Sequence, residues 1–441
     1  DRTKSRGLGD VYKRQTIYSI AMTTDAATDI TWLFVVYKPT RSIDGSQGNE
    51  IAVFSQVGNQ PAYTNVWQKT PNGSPFNGFT GWFKTRTNVF SSYFGTSIAV
   101  NDNATRIIIG DHQYDNGRGA VFIFDKVSFY GWRCSGKTIE QLEEMLRDGR
   151  ADELSGVILG EKEGSKFGFR VACNSSGSRI VVGEYGPFES MTQTKAYEYD
   201  SILTQTWVRL GEPIKSDINY RVVDVDMNEL GDRIVVGYLG SSSPRAHYAM
   251  VYDIVGNNPN KSLNVWTQIG QNIPAGSDSN FYTANISSDG KRVVIGDVGA
   301  VSGGGSVFVY DLVGLRLSGA QWVQSFSEIT GDNTFSMFGI PLALNKDGTM
   351  FITRSMGSSA YNIKSSVKGY DITSTASEPS TEPETTTTPD PTPDPEWIQV
   401  GRDIDGEAAN DYSGNSVSFS ADGQTVAIGA YQNDGNGSNS G

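Results

Sequence analysis

A stretch of 17 residues recurs along this chain in constant register, and that recurrence limits the fold more than any other feature. The segment FGTSIAVNDNATRIIIG (94–110) is matched by FGFRVACNSSGSRIVVG (167–183), RVVDVDMNELGDRIVVG (221–237), NFYTANISSDGKRVVIG (280–296), FGIPLALNKDGTMFITR (338–354) and SGNSVSFSADGQTVAIG (413–429). Each copy reads as a hairpin. Its turn column holds Ala104, Gly177, Gly231, Gly290, Gly348 and Gly423, with Asp289, Asp347 and Asp422 directly before three of the glycines. Asp-Gly between two apolar runs predicts a tight hairpin of the primed kind, because such a turn needs positive φ. The second arm, for example RIIIG or RVVIG, is apolar at consecutive positions, which predicts burial on both faces.

Two further elements follow each hairpin. One ends in an aromatic residue plus aspartate, at Phe124-Asp125, Tyr199-Asp200, Tyr252-Asp253, Tyr310-Asp311 and Tyr370-Asp371, spaced by 75, 53, 58 and 60 residues. The longest spacing contains TIEQLEEMLRDG (138–149), where Ile139, Leu142, Met145 and Leu146 share one face of a short helix. The other carries a tryptophan at Trp67, Trp132, Trp207, Trp266, Trp322 and Trp397, three of them in the form W-x-x-x-G. Four strands at a period in the fifties is the arithmetic of a propeller blade, and a sandwich would not repeat its sequence this way. The expected fold is therefore all-β: a β-propeller of four-stranded antiparallel blades, six to seven of them visible, truncated at both ends.

Residues 1–15 (DRTKSRGLGDVYKRQ) read as adapter-derived and stand apart from the fold. Residues 16–373 hold blades 1–6, the first divergent, with strands at 17–24, 30–37 and 50–55 and its end at Trp67. Residues 374–396 (STASEPSTEPETTTTPDPTPDPE) have almost nothing to bury and read as a disordered linker. Residues 397–441 start a further blade or a second propeller. Ring closure would make 397–404 the outer strand of blade 6 and 413–429 half of a seventh blade. A Pro/Thr segment of this length more often separates domains, so the separate array is the preferred expectation.

The formal charge of −13 argues against nucleic acid or an anionic membrane as partner, since both require clustered Lys and Arg. No run of 18 apolar residues exists to span a membrane. Two cysteines, Cys134 and Cys173, cannot build a disulfide framework or a four-cysteine zinc site; they either pair or lie buried as free thiols, the commoner arrangement. The loops DHQYDNGRG (111–119) and YQNDGNGSNSG (431–441) offer Asp111, Asp115 and Asp434 as calcium candidates, although any solvated loop needs such a composition. No catalytic residue and no other cofactor is indicated. His112 and His247 are placed in loops of different blades with no nucleophile motif near either. The recurring Asp125, Asp200, Asp253, Asp311 and Asp371 read as strand-ending residues, because a single active site would mark one blade and not five. Six N-x-[ST] sequons, at Asn72, Asn103, Asn174, Asn260, Asn285 and Asn436, permit glycosylation without arguing for it.

Phe94-Gly95, Phe167-Gly168 and Phe338-Gly339 open the first arm and a glycine closes the second, a pattern that resembles the FG-GAP repeat of integrin-α-like propellers. The resemblance runs over roughly 90–371 and resumes at 397. It implies a seven-bladed propeller used for adhesion and ligand binding, often outside the cell. The calcium loop of that family, D-x-[DN]-x-D-G-x-x-D, is missing from the turns, which read NDNATR, NSSGSR, NELGDR, SSDGKR, NKDGTM and SADGQT. The expected function is a non-enzymatic extracellular or cell-surface binding or adhesion module, taking a protein or glycan ligand on the loops of one end. One alternative is a propeller hydrolase of the sialidase or glycosidase kind, with carboxylates and arginines at the axis; the SADG and SSDG turns lack the spacing of the sialidase Asp-box, S-x-D-x-G-x-T-W. The other is a structural spacer of a surface protein.

Overall fold

The computed structural model describes residues 15–25, 27–28, 30–39, 49–57, 81–84, 89–128, 131–186, 192–202, 204–215, 220–240, 247–256, 258–274, 281–299, 304–314, 319–332, 336–357, 363–373, 397–421, 423–430 and 432–433. Seven antiparallel sheets follow one another along the described chain, six with at least four strands in sequence order and a seventh with two. Their first strands are Gln15–Asp25, Ser97–Val100, Arg170–Cys173, Tyr220–Met227, Phe281–Ile286, Leu342–Leu344 and Ser413–Phe419. Each lies beside the first strand of the next blade, and the seventh lies beside the first, so the strands form a closed inner ring. This is the β-propeller expected from the repeat. The helix expected within 138–149 is Ile139–Arg147, held by a capping box between Thr138 and Gln141.

The repeat's residues have identifiable mechanical roles. The second strands, such as Arg106–Asp111 and Arg292–Asp297, lie between two neighbouring strands of their own blade and are buried beyond their first residue. Phe94, Phe167 and Phe338 are wholly buried, and the glycine after each has positive φ, at 81°, 84° and 96°. Where the next blade opens on Phe-Gly, the glycine closing a second strand meets it. A Cβ on Gly110 would lie 2.1 Å from the carbonyl oxygen of Gly168, and one on Gly296 would lie 2.0 Å from that of Gly339. In W-x-x-x-G, a Cβ on Gly211 would meet the Trp266 ring at 2.9 Å, and one on Gly270 the Trp322 ring at 2.7 Å, each from the following blade. The indole N–H groups of Trp266 and Trp322 donate to the carbonyls of Leu210 and Ile269 across the same boundary. Spaced glycines thus let one blade's backbone touch the next blade's aromatic ring or backbone.

The turns depart from the expected primed type. Ala104 and Gly177 have positive φ, at 49° and 69°, but each N–H donates to the carbonyl three residues earlier, of Asn101 and Asn174. The positive-φ residue therefore follows a turn instead of occupying its centre. Asn101 completes the loop, its Oδ1 accepting the N–H groups of Thr105 and Arg106 at 2.9 and 2.8 Å; Asn345 does the same for Thr349 and Met350. The sequence reading also missed five short strands, Val157–Leu159, Ile214–Lys215, Ile273–Pro274, Ile329–Thr330 and Ile404–Asp405, each paired to the third strand of its blade. Two or three residues carry no periodicity. Blade 1 takes its fourth strand from Gly81–Lys84, and Trp67 lies outside the described residues.

Beyond residue 396 the described chain takes the ring-closing arrangement, against the preferred expectation of a separate array. Ile398–Gln399 pairs with Tyr370 and Asp371, and Ile404–Asp405 with Val367 and Ser366. Val417 and Phe419 bury against Ile352 and Val367 of blade 6. On the other side, Ala427 joins Met22, Leu33, Tyr37 and Ala52 of blade 1. The physical reason is edge pairing: the third strand of blade 6 and the inner strand of blade 1 each have a side that the tail covers. The linker reading of 374–396 falls outside the described residues.

Candidate functional site

The first strands of all seven blades enclose an axial channel of about 480 Å³. Ala21, Ala99, Ala172 and Ala343 line it, and Asp224 and Asp226 project from blade 4. The two carboxylates serve as joints. Asp224 Oδ2 accepts the N–H of Ala284 and Asp226 Oδ2 that of Ile286, both at 3.0 Å. Ser97 Oγ accepts the N–H of Val171 at 2.9 Å, and Ser416 and Ser418 accept those of Ile20 and Met22 at 3.0 and 3.1 Å. Side-chain oxygens thereby satisfy donors on strand edges that have no strand beside them in the sheet.

Asp224 and Asp226 keep part of their surface open to the channel, but the channel is walled by protein, so burial dominates their chemistry. Burial pushes the Asp226 carboxyl from 3.8 up to about 7; the N–H groups of Ile286 and Met227 pull it down, and the Asp224 charge raises it further. Because the folded carboxyl holds its proton more tightly than the unfolded one, its contribution to stability is complete below the ordinary carboxylate range and is lost as pH rises through about 7. The stability of the wild-type chain is expected to fall across this window by up to about 1.4 kcal/mol per pH unit from this group. Asp226→Asn should flatten that slope in a pH series of urea unfolding, and an unchanged slope would show that the carboxyl does not titrate there.

At the turn end, backbone bonds link the blades around the channel mouth. Asp102 N–H donates to Ser175, Ser175 to Glu229, Glu229 to Ser288, and Ser288 to Lys346, at 3.0, 3.2, 3.0 and 2.8 Å. The Lys346 ammonium and the Ser175 hydroxyl both meet the Asp102 carboxylate. Burial pushes the nearby Cys173 thiol up to about 12, which leaves it protonated and unreactive at neutral pH.

The opposite mouth differs in chemistry. Here the blade 2 and blade 3 inner strands begin, and their approach loops bring together rings and cations from three blades. Tyr93 lies against His112 with centroids 4.8 Å apart, His112 edge-on to Phe169 at 5.4 Å, and Phe169 stacks on Tyr185 at 4.8 Å. Arg170 caps the Phe169 ring at 4.5 Å, while Arg221 and Lys166 lie over Tyr185 at 5.2 and 5.3 Å. Arg221 also donates from Nη1 to the Tyr185 hydroxyl at 2.8 Å. Arg170 has a carboxylate partner, Asp224, at 3.5 Å. Among the described residues, Lys166 and Arg221 form no ion pair. Burial, with Lys166 and Arg170 close by, pushes the His112 imidazole down to about 4, so it is neutral at pH 7. Tyr93 is 46% exposed. Sequence reading missed this cluster; its one linear signal is Phe169-Arg170 at the mouth of an inner strand, and the partners come from other blades.

The residues singled out from sequence separate in space. Asp111 is wholly buried; its carboxylate accepts the Ser91 N–H at 2.8 Å and the Ser91 hydroxyl, and burial raises its pKa. It anchors the approach to blade 2. Asp115 has φ 48° and faces Arg118 at 3.7 Å, and Asp434 lies outside the described residues. Among the described residues, no three His, Cys, Asp or Glu side chains gather as a metal site. With the Asp111 carboxylate taken up by Ser91 and Asp115 facing Arg118, calcium at millimolar concentration is expected to move the thermal midpoint by less than about 1 °C; a rise of several degrees would place an ion on these loops. His247 is not in a loop but opens the strand His247–Val255, buried, its Nδ1 accepting the Gly240 N–H at 3.1 Å. Cys134 and Cys173 are both free thiols.

The recurring aspartates divide into two kinds. Asp125, Asp253 and Asp311 do not close turns: they pair across the strand with Arg106, Arg233 and Arg292 at 2.6, 2.5 and 2.6 Å. Each of these arginines also donates to the turn glycine of the next blade, Gly177, Gly290 or Gly348. Asp200 and Asp371 cap the N–H groups of Ile202 and Thr373 at 3.1 and 2.8 Å, as expected. In blade 3 the arginine, Arg179, turns to Glu198, its cross-strand neighbour.

No helix among the described residues is long and apolar enough to cross a membrane. In sequence, residues 404–441 match the FG-GAP repeat family, and no curated protein matches the chain. In structure, it is similar to the hydrazine synthase of Kuenenia stuttgartiensis, at 13% identity over 97% of this chain and 98% of that one, with a TM-score of 0.48. It is similar also to a putative 6-phosphogluconolactonase of Bacteroides uniformis, at 9% identity over 96% and 90%, with a TM-score of 0.46. The Dos1 propeller aligns at 12% identity over 94% and 75%, with a TM-score of 0.45. Likenesses this distant carry no argument about function. With the FG-GAP match at 404–441, and the repeat's Phe-Gly and closing glycines forming the contacts between blades, the chain is an FG-GAP-like β-propeller.

Proposed function

We propose that this propeller is a non-enzymatic binding or adhesion module, extracellular or at the cell surface, that takes its ligand at the loop mouth of the channel. The observation that supports this reading is the asymmetry of the two mouths. At the turn end, polar groups are consumed by blade-to-blade bonds. At the loop end, Arg221 and Lys166 lie over the Tyr185 ring without a carboxylate partner among the described residues; Arg221 is exposed and Lys166 half-buried. Scaffold loops that present such groups are where binding chemistry concentrates. The channel carboxylates, which a hydrolase would use, accept backbone N–H bonds instead. Exposed sequon asparagines, Asn103 and Asn260, suit a glycosylated exterior. The test is whether a bound ligand is returned unchanged: saturable binding with the ligand intact by mass spectrometry after a day is expected, and recovery of cleaved ligand would make the chain a hydrolase.

A further inference from the structure

We infer that the cation and aromatic cluster at the loop mouth is a receptor for an acidic glycan, with Arg221 and Lys166 taking its carboxylate or sulfate groups and Tyr93 stacking on a neighbouring sugar ring. This rests on reading the chain as a binding module and assigns that module's ligand class.

The chain carries 49 acidic against 36 basic residues, so most cations here have an acidic neighbour. Arg106, Arg179, Arg233, Arg292, Lys195 and Lys368 all pair with carboxylates. Lys166 and Arg221 are held differently. Both sit against Tyr185, and Arg221 is exposed. The Tyr185 ring face and one Nη1–H bond to its hydroxyl hold the Arg221 guanidinium, and its remaining N–H groups are left for an oxyanion. Phe169 and Tyr185 cover each other and are capped by cations, and they act as the support. The open aromatic surface is Tyr93, half exposed beside a neutral imidazole. An anion reader separated by the His112 and Phe169 rings from an uncharged aromatic platform matches a polymer that alternates charged groups with apolar sugar faces. An acidic peptide would use the cations and leave the Tyr93 platform idle.

The experiment uses the whole chain and four probes: polygalacturonate, dextran sulfate, neutral dextran and poly-glutamate, with binding followed by calorimetry at 50 and 150 mM salt. Binding of polygalacturonate or dextran sulfate is expected, weakening with salt, with neutral dextran silent and poly-glutamate at least tenfold weaker; the two acidic glycans distinguish carboxylate from sulfate. Arg221→Gln combined with Lys166→Gln should weaken the glycan by about tenfold or more, the loss of two charge-assisted contacts. Tyr93→Ala should weaken the glycan by at least threefold and leave any poly-glutamate binding unchanged. An unaltered thermal midpoint in each variant shows that the fold is kept. Poly-glutamate binding as tight as the glycan, or glycan binding unmoved by the double substitution, overturns the inference and leaves the module reading standing. Shortening of the glycan during incubation, read by size exclusion, overturns the module reading and leaves the ligand class standing.

Discussion

Gly110→Ala and Gly296→Ala are each expected to destabilise the folded chain by about 3 kcal/mol or more, whereas Gly429→Ala, at the same position of the repeat, should cost less than about 0.5 kcal/mol. All three glycines end the second strand of a repeat copy. At the first two, the added Cβ would lie 2.1 and 2.0 Å from a backbone carbonyl oxygen of the next blade's Phe-Gly. No rotamer can relieve a clash with backbone, so the blades must separate, and the contacts of buried Phe167 or Phe338 loosen with them. At Gly429 the nearest neighbour is a methyl of Ile17 at 3.4 Å, an ordinary contact, because blade 1 has no Phe-Gly at its start. Gly183→Ala should fall between, since the neighbour at 3.0 Å is the side chain of Val222, which can move. Urea midpoints of the four variants check the order. Equal costs at all four would mean that the glycines serve the strands themselves and not the boundaries between blades.

Cutting the chain within 374–396, at an inserted protease site, is expected to yield two fragments that remain together through gel filtration under native conditions and separate only in denaturant. The tail's hold on the ring is extensive. Val400 N–H donates to Gly369 and Gly406 N–H to Ser365, both at 2.8 Å, in addition to the pairing at 366–371. Trp397 meets Tyr370 edge to face at 5.3 Å. Val417 and Phe419 are more than nine-tenths buried, and burial of such side chains contributes roughly 1.5 to 3 kcal/mol each. Deleting 397–441 outright should lower the thermal midpoint by 10 °C or more and promote self-association, because it would bare the strand edges of blades 1 and 6. A tail that elutes alone after cleavage, with the larger fragment unchanged in stability, would show that 397–441 belongs to a separate array.

Much of the architecture was legible in the linear sequence. Hairpins were visible because a turn glycine, the aspartate before it in three copies and an apolar run after it are neighbours in the chain, where periodicity and φ preference act. The helix at Ile139–Arg147 was legible for the same reason: its cap and its apolar face lie within one short stretch. Contacts between blades were not legible. That Arg106 binds Asp125 and also Gly177 joins residues 19 and 71 positions apart, and the choice of Glu198 over Asp200 by Arg179 depends on cross-strand register that the aspartate column conceals.

What the sequence by itself determined was the repeating blade and its period, because each blade is encoded by local strand and turn chemistry that reads the same wherever the chain begins. Only the tertiary structure decided where the tail goes, which strand closes blade 1, and that Tyr93, His112, Phe169, Tyr185 and Arg221 share one mouth. Those outcomes follow from closing the ring. Closure sets each inner strand beside one from another blade, and it thereby chooses which side chains, far apart in sequence, meet at the channel's ends.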